Sequence, residues 1–411
     1  MRLQFWATVL HFAAIHFAAV AQAQTQSLPE CALQCLTDLL PQSPCAATNQ
    51  TCICTNDELN ENLTLCVGAS CSVKEGLIAL NVTNTECGAP VRDHTSLSII
   101  IPSVGFGVIL FVALRVYTRL VVTKLEMGLD DWTTILLGGC VVAVNAGSIL
   151  LGQAGLGRDI WTLEPSSITR ILYLFYIQEL LYMTCISLTK ICFLLFYLRI
   201  FPSDRIRWII KISCLVTLCY GIVFLFAFAF QCSPVSYNWD GWDGEHEGKC
   251  VQTNPLVVSA AAINIVLDAW VIALPIPRVL KLQASISTKL QVILMFSVGF
   301  LITGVSIYRT VMLKIFATST NPTWDNAAGG YWSVIEVDVG VFCLCMPALR
   351  SLLGRLFPSV FGSTNATTAD STGHKNSQRR IRTTDTGPNT SFVQLIEMDH
   401  TGGLKSHGDV H

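Results

Sequence analysis

The chain has 411 residues, of which 52% are hydrophobic and only 13% are charged, and its mean hydropathy is +0.52. This composition is too apolar for an ordinary soluble protein and indicates a membrane protein. The formal net charge of -2 gives no reason to expect a nucleic-acid partner.

The chain begins with a short apolar segment. Residues 1–23 contain one early arginine, Arg2, an apolar run and the small-residue pattern Ala21-Gln22-Ala23. This pattern predicts a signal peptide that is cleaved before Gln24. A membrane anchor fits less well, because the apolar run is short and contains two histidines. An exported N-terminus would make three sequons available for glycosylation, at Asn49, Asn62 and Asn81.

Eight of the 17 cysteines lie close together, at Cys31, Cys35, Cys45, Cys52, Cys54, Cys66, Cys71 and Cys87. A dense and even set predicts a disulfide framework in an oxidising compartment. A zinc site fits less well, because such sites favour paired CxxC units. On a helix, residues 31 and 35 share one face, and residues 66 and 71 nearly do. Antiparallel packing of these segments would pair Cys31 with Cys71 and Cys35 with Cys66, although eight cysteines allow many other connectivities.

The spacing of these cysteines resembles that of a known family. Pro29-Glu30-Cys31, the triplet Cys52-Ile53-Cys54 and the gaps that follow are similar to the CFEM domain of fungal extracellular membrane proteins. The resemblance covers residues 28 to 90. It implies the same nested pairs and adds a Cys45–Cys52 and a Cys54–Cys87 disulfide.

The resemblance also raises the question of haem. Secreted members of this family bind haem through an aspartate three residues before the CxC triplet, and here that position is Asn49. A neutral amide is a poor ligand for ferric iron. We therefore expect no cofactor and a recognition or spacer role for this segment, with haem binding as the alternative.

Seven apolar segments after residue 95 are long enough to cross a bilayer, which takes about 20 residues. They are Ser96 to Leu120, Trp132 to Gln153, Ile168 to Tyr197, Trp208 to Phe230, Pro255 to Pro275, Leu290 to Ile315 and Gly329 to Leu352. Basic residues concentrate in the loops that would face the cytosol if the N-terminus lies outside. We predict a multi-pass plasma-membrane protein with an extracellular N-terminus and a cytosolic C-terminus.

The expected fold is all-α. It comprises a signal peptide at 1–23, a disulfide-rich helical CFEM ectodomain at 24–93 and a seven-transmembrane helix bundle at 94–356. The remaining residues, 357–411, are polar and predict a disordered cytosolic tail.

Short motifs in the membrane part resemble the fungal rhodopsin-like family of CFEM-bearing seven-helix receptors in filamentous ascomycetes. They include Arg115-x-Tyr117-x-Arg119 with Asp130-Asp131-Trp132, Phe196-Tyr197-Leu198-Arg199, and Cys343-x-Cys345-x-Pro347. The resemblance implies a receptor with a heterotrimeric G protein as a partner. The last span contains no lysine, which excludes a Schiff-base site for retinal there.

Two further features have a structural and a functional interpretation. Asp130 and Asp131 begin the second span, where we expect them to cap the helix; a coupling role is the alternative. Cys232 and Cys250 flank the loop between the fourth and fifth spans, and a disulfide there would stabilise the protein by about 3 kcal/mol. It would hold Trp239 to Trp242 as a lid and ligand surface, or form a purely stabilising hairpin.

Ionisable residues inside spans are costly and are usually functional or paired. We predict a polar ligand pocket in the outer half of the membrane, formed by Gln178, Glu179, Arg309, Glu336 and Asp338. Deeper in the bundle, we predict a pair between Lys190 and Asp268 that joins the third and fifth spans. The alternative is that all of these residues are structural and bind no ligand.

The leading functional prediction is a G-protein-coupled-receptor-like protein of the cell surface. An extracellular or host-surface cue would shift the bundle between two states, with membrane lipid surrounding the spans. The alternative is haem or iron acquisition through the CFEM segment. A transporter is disfavoured because there is no inverted repeat. We predict no enzyme, because the few histidines lie outside the spans.

Overall fold

The computed structural model describes residues 27–201, 203–277, 299–300, 303–311, 319 and 321–356. The predictions for the signal peptide, for the tail and for most of the sixth apolar segment lie outside these residues. Within them the chain is helical apart from one two-stranded sheet, Cys232–Ser233 with Lys249–Cys250. The all-α prediction is therefore confirmed.

Four short helices form the N-terminal cysteine module, which we define as residues 30–87. Asn49 and Asn56 cap two of them by accepting hydrogen bonds from the backbone N–H groups of Cys52 and Leu59, at 3.1 and 2.9 Å. Side-chain oxygens at this position satisfy N–H groups that the helix itself leaves unpaired. The helices are α1 (Glu30–Leu39), α2 (Gln50–Thr55), α3 (Asp57–Ser70) and α4 (Val73–Glu86).

Four disulfides hold these helices together. They join Cys31 with Cys71, Cys35 with Cys66, Cys45 with Cys52 and Cys54 with Cys87, which are the pairs that the cysteine spacing and the family resemblance imply. The hydrophobic core that they surround is small, with Ala32, Leu59 and Ala79 as its buried members besides cysteine. A core of this size gives little stability by itself, which is why such modules depend on disulfides.

Six helices in the described part of the chain are long and apolar enough to cross a membrane. We number them spans 1–5 and 7, after the predicted segments that they match. Residues 303–311 are helical as well and belong to the predicted sixth segment. The six spans are Thr95–Val122, Leu129–Ala154, Pro165–Ile200, Asp204–Ala229, Thr253–Ala273 and Pro322–Leu356.

Span 3 lies at the centre of the bundle, where it contacts spans 2, 4, 5 and 7. Leu137 and Val141 of span 2, Cys185 of span 3 and Val341 of span 7 are completely buried there. The cysteine module lies over one end of the bundle, because α4 contacts the loops before span 3 and between spans 4 and 5. We call this the module end and the opposite end the far end.

Candidate functional site

A buried arginine–aspartate cluster lies at the far end. We give this name to Arg115 and Arg119 of span 1, Asp130 and Asp131 of span 2, and Arg199 of span 3. The Arg115 guanidinium lies 2.9 Å from Asp130 and 3.0 Å from Asp131. Arg199 Nη1 lies 3.0 and 3.3 Å from the same two carboxylates, and Arg119 lies 3.4 and 3.2 Å from them.

This cluster connects four spans. Arg115 also donates a hydrogen bond to the carbonyl oxygen of Leu344 in span 7. Asp131 accepts a hydrogen bond from the backbone N–H of Gly128 at 3.2 Å, so it also caps span 2 as the sequence predicts. A Cβ atom on Gly128 would collide with Asp130 and Arg199, and only glycine leaves room for the ion pairs at this turn.

A second polar group lies in the interior between spans 3 and 5. Lys190 Nζ lies 2.9 Å from Asp268 Oδ1 and donates a hydrogen bond of 2.7 Å to Asn264 Oδ1. Asn264 in turn donates to Asp268 Oδ2 at 3.1 Å. Lys190 and Asp268 therefore lie together as the sequence predicts. Asn264, which the sequence analysis does not single out, completes the group.

A third polar group surrounds Glu336 of span 7. Its carboxylate accepts hydrogen bonds from the hydroxyl groups of Tyr182, at 2.9 Å, and Ser306. Arg309 Nε lies 3.9 Å from the carboxylate, and the guanidinium lies over the Tyr182 ring, 4.3 Å from its centroid. This group joins span 3, the described part of the sixth segment and span 7.

The other predicted pocket residues contact different partners. Glu179 accepts a hydrogen bond of 3.3 Å from Gln231, at the end of span 4. Gln178 donates to the Val144 carbonyl and to Ser148 in span 2, at 2.7 and 2.9 Å. Asp338 accepts from Asn145, also in span 2, at 2.9 Å. Glu336 and Arg309 thus form one group, and Gln178 and Asp338 lie against the opposite side of the bundle interior.

Charged contacts at the module end connect the segment after the cysteine module to span 7. Arg92 binds Asp159, which lies in the loop before span 3, at 2.6 Å. Asp159 also accepts a hydrogen bond of 2.6 Å from Asn321, just before span 7. Burial opposes ionisation of Asp159, but the hydrogen bonds from Arg92 and Asn321 lower its pKa. Trp324 of span 7 packs 4.8 Å from the Arg92 guanidinium.

The cysteine module itself contacts the loop between spans 4 and 5. Lys74 of α4 lies 3.1 Å from Asp243 and 2.8 Å from Glu245 in that loop. The Glu245 backbone N–H, His246 and Lys74 hold the pKa of Asp243 well below its usual range. The hydrogen bond to Asp243 also raises the pKa of His246.

The loop between spans 4 and 5 is closed by a Cys232–Cys250 disulfide and lies over the start of span 3. Trp242 Nε1 donates a hydrogen bond of 2.9 Å to Thr169. The Trp239 ring packs 5.0 Å from that of Tyr173 and 5.4 Å from that of Tyr176. The segment that the sequence analysis singles out as a lid is thus in contact with span 3 and with the cysteine module.

The residues present do not fit a haem site. The Asn49 side-chain oxygen, at the position of the family's iron ligand, accepts the capping hydrogen bond from Cys52 and carries no negative charge. Among the described residues, no group of three or more histidine, cysteine or acidic side chains could hold a metal ion. Asn49 and Asn62 are exposed and Asn81 is half-buried, and glycosylation at all three stays a prediction.

Fold and polar groups together define a helical multi-span membrane protein with a disulfide-rich module at one end. A family model described as the fungal rhodopsin domain matches residues 114–355, and a CFEM domain model matches residues 24–88. The chain belongs to the fungal rhodopsin domain family and carries a CFEM domain, which confirms the resemblance seen in its motifs. No solved structure matches the chain.

Several curated fungal proteins are similar to the chain. The polyenoic acids biosynthesis gene cluster protein Ba17b of Metarhizium anisopliae is 30% identical over 60% of this chain and 71% of its own length. A SAT4 family membrane protein of Emericella nidulans is 30% identical over 49% of this chain and 51% of its own. Receptor GIN3 of Arthrobotrys oligospora is 22% identical over 63% of this chain and 64% of its own.

Proposed function

We propose that this protein is a cell-surface receptor of a fungus that senses extracellular or host-surface cues at its module end. Its domains are those of the sequence analysis, with the N-terminus outside the cell and the far end in the cytosol, where it contacts a heterotrimeric G protein. The name of Receptor GIN3 supports this class of function, and we expect no enzymatic activity.

The observation that carries the proposal is the set of contacts that span 7 makes along its length. At the module end, Asn321 binds Asp159. In the interior, Glu336 binds Tyr182 and Ser306. At the far end, the Leu344 carbonyl binds Arg115 of the arginine–aspartate cluster. One continuous helix therefore connects the loops under the cysteine module with the ion pairs at the other end.

In this proposal span 7 has two discrete positions, and a ligand that prefers one of them shifts the population. A cue that moves the cysteine module would break or rearrange the contacts of Arg92 with Asp159. Because Asp159 also binds Asn321, the start of span 7 would then change its environment. Displacement of span 7 would change the contact between Leu344 and Arg115. The cytosolic partner would respond to this change in the far-end cluster.

The experiment compares two variants at the module end. Asp159→Asn removes the charge that binds Arg92 and Asn321, while Asp93→Asn removes the charge of a neighbouring pair with Arg158, at 3.0 Å. Each variant is purified as the full chain, and hydrogen–deuterium exchange is measured for residues 118–131 at the far end. In parallel, both are expressed in a fungal host, and cyclic AMP is measured at equal surface amounts.

Asp159→Asn should raise exchange at the far end severalfold and change basal cyclic AMP, whereas Asp93→Asn should leave both near wild type. Unchanged exchange and cyclic AMP in Asp159→Asn would overturn the proposal. Changed exchange with unchanged cyclic AMP would support the coupling between the two ends and exclude a cyclic-AMP-linked G protein as its partner.

A further inference from the structure

Asp338, in the middle of span 7, is an acidic residue that has no basic partner among the residues that the structure describes. In the described part of the bundle, the buried basic side chains pair with Asp130, Asp131, Asp268 and Glu336, and none lies within ion-pair distance of Asp338. The hydrogen bond at its carboxylate comes from Asn145 Nδ2, at 2.9 Å. An ionised carboxylate in this setting would be uncompensated, which is costly inside a membrane.

Asn145, the partner of Asp338 in span 2, is completely buried. Its Nδ2 group donates to the Val141 carbonyl at 3.0 Å and to Asp338 Oδ1, so both N–H bonds are used. Its Oδ1 atom is buried and receives no hydrogen bond from any residue in the described part of the chain. Rotating the amide by half a turn would place this oxygen against two acceptors, so the orientation is determined by the hydrogen bonds.

The second oxygen of Asp338 and the Oδ1 atom of Asn145 both lie against Gly105 of span 1. A Cβ atom on Gly105 would collide with Asn145 Oδ1 and with Asp338 Oδ2, so these two oxygens lie side by side against the same backbone position. Two acceptors without a donor between them repel each other. A single proton on Asp338 Oδ2 would turn this repulsion into a hydrogen bond, because the carboxylic acid could then donate to Asn145 Oδ1.

We propose that Asp338 is a proton-binding site, and that it pairs with Asn145 as a neutral carboxylic acid. Asp338 Oδ1 accepts the Nδ2–H of Asn145, and the proton on Asp338 Oδ2 is donated to Asn145 Oδ1. Uptake of one proton from water thus satisfies the buried amide oxygen and removes the uncompensated charge. Loss of the proton restores two facing acceptors between spans 2 and 7.

None of the described groups around Asp338 supplies a positive charge, which is consistent with neutralisation of its carboxylate by a proton. Span 1 contributes Gly105, which has no side chain. Cys140 of span 2 and Cys185 of span 3 are free thiols that lie close to each other, and Cys185 lies close to Asp338. Glu336, two residues from Asp338, is bound by Tyr182 and Ser306. Arg115 is occupied by the two aspartates of the far-end cluster.

The test is an infrared spectrum of the purified full chain at pH 7, in the region where protonated carboxyl groups absorb. Wild type is compared with Asp338→Asn, which is close to the neutral acid in shape, and with the matched control Glu336→Gln. We expect Asp338→Asn to lose one carboxylic-acid C=O band and Glu336→Gln to retain it. In Asn145→Leu the band should shift, because the acid loses its acceptor.

Identical carboxylic-acid bands in wild type and Asp338→Asn would overturn the proposal, since Asp338 would then be ionised. Stabilisation of wild type but not of Asp338→Asn by sodium chloride, relative to choline chloride, would overturn it in favour of a metal cation. The readout is a vibrational band and does not depend on signalling, so the proposal stands or fails independently of the receptor function.

Discussion

The two ends of the bundle differ in how far their basic side chains are exposed to solvent. At the far end, the Arg115 side chain is 4% exposed and that of Asp131 is 1% exposed, and each has more than one partner. At the module end, Arg92 is 50% exposed, Arg158 is 48% exposed and Lys74 is 33% exposed. Buried charges are strongly destabilising when a partner is removed, whereas exposed pairs contribute about 0–1 kcal/mol and are screened by salt.

This difference indicates which end can move at low cost. The far-end cluster specifies how spans 1, 2, 3 and 7 are placed, because separating any arginine from both aspartates would leave a charge without compensation. At the module end, Arg92 and Lys74 are partly exposed and can bind water when a contact opens, whereas their partners Asp159 and Asp243 are buried. In the receptor function proposed above, the cue would act at the module end, where the cations are partly exposed, and the signal would leave at the buried far-end cluster. The following variants test this contrast, from the largest expected effect to the smallest.

Asp131→Asn should have the largest effect. It removes one of the two carboxylates that face three guanidinium groups, and the loss of a buried partner costs about 3–5 kcal/mol. Thermal unfolding of the protein in detergent measures the change. The control is Asp204→Asn, which removes an exposed carboxylate at the start of span 4 and should leave the midpoint near wild type. Equal midpoints for the two variants would contradict a structural role for the cluster.

Lys190→Met should destabilise the interior by about 3 kcal/mol, because it leaves Asp268 buried without its cation. Asp268→Leu alone should destabilise the interior by a similar amount, because it leaves Lys190 buried without its anion. In the double variant no buried charge remains, so its loss should be smaller than the sum of the two single losses. A double-mutant cycle on unfolding free energies measures this coupling, and additive losses would show that the 2.9 Å contact contributes little.

Cys232→Ser with Cys250→Ser opens the loop between spans 4 and 5. The cysteines are 18 residues apart, and release of a loop of this length costs about 3 kcal/mol in the chain-entropy description. The contact of Trp242 with Thr169 should loosen as well, which tryptophan fluorescence reports. Wild-type unfolding and fluorescence in this variant would show that the hydrogen bonds and ring contacts alone hold the loop.

Lys74→Met should have the smallest effect on stability, because its pairs with Asp243 and Glu245 are partly exposed. Its effect should appear instead in the attachment of the cysteine module, measured as faster proteolysis between residues 87 and 95. The same readout in wild type should rise with added salt, since exposed ion pairs are screened. A salt-independent rate would show that apolar contacts hold the module.

The contacts of Asp243 with Lys74 and His246 should depend on pH in two opposite ways. The pKa of His246 is raised, so its contribution is complete below its unfolded value of about 6.5 and is lost as the pH rises through the folded value. The pKa of Asp243 is lowered, so its contribution is present above about 3.9 and is lost as the pH falls further. The midpoint of thermal unfolding should therefore be highest between about pH 4 and 6, and His246→Gln should remove its decrease on the alkaline side.

The sequence predicts the described spans well because membrane thickness requires a long apolar run wherever a helix crosses. Span 7 begins at Pro322 rather than at the predicted Gly329, because its first turns are polar and pack against the loop before span 3 through Thr323. Hydropathy cannot detect this extension. The cysteine pairs follow from residue spacing and family resemblance, which act over short stretches of chain.

The arrangement of the polar groups is harder to predict, because depth along a helix says nothing about direction around it. Glu336 and Asp338 lie at similar depth, but two residues on a helix are separated by roughly 200°, so they face different neighbours. Their two-residue spacing in the sequence is therefore enough to predict that Glu336 and Asp338 face different sides of span 7. The arginine–aspartate cluster is different. Arg199 lies far from Arg115 in the sequence and resembles an ordinary loop charge, and only the packing of the spans brings it, half-buried, against Asp130 and Asp131.

Span 3 is longer than a membrane is thick. Its 36 residues extend about 54 Å at 1.5 Å per residue, against roughly 30 Å of hydrocarbon. Its first turns carry Thr169, Tyr173 and Tyr176, which the loop between spans 4 and 5 covers. Span 3 therefore has more helical turns than the hydrocarbon needs, and the loop that contacts the cysteine module packs on the turns at its start.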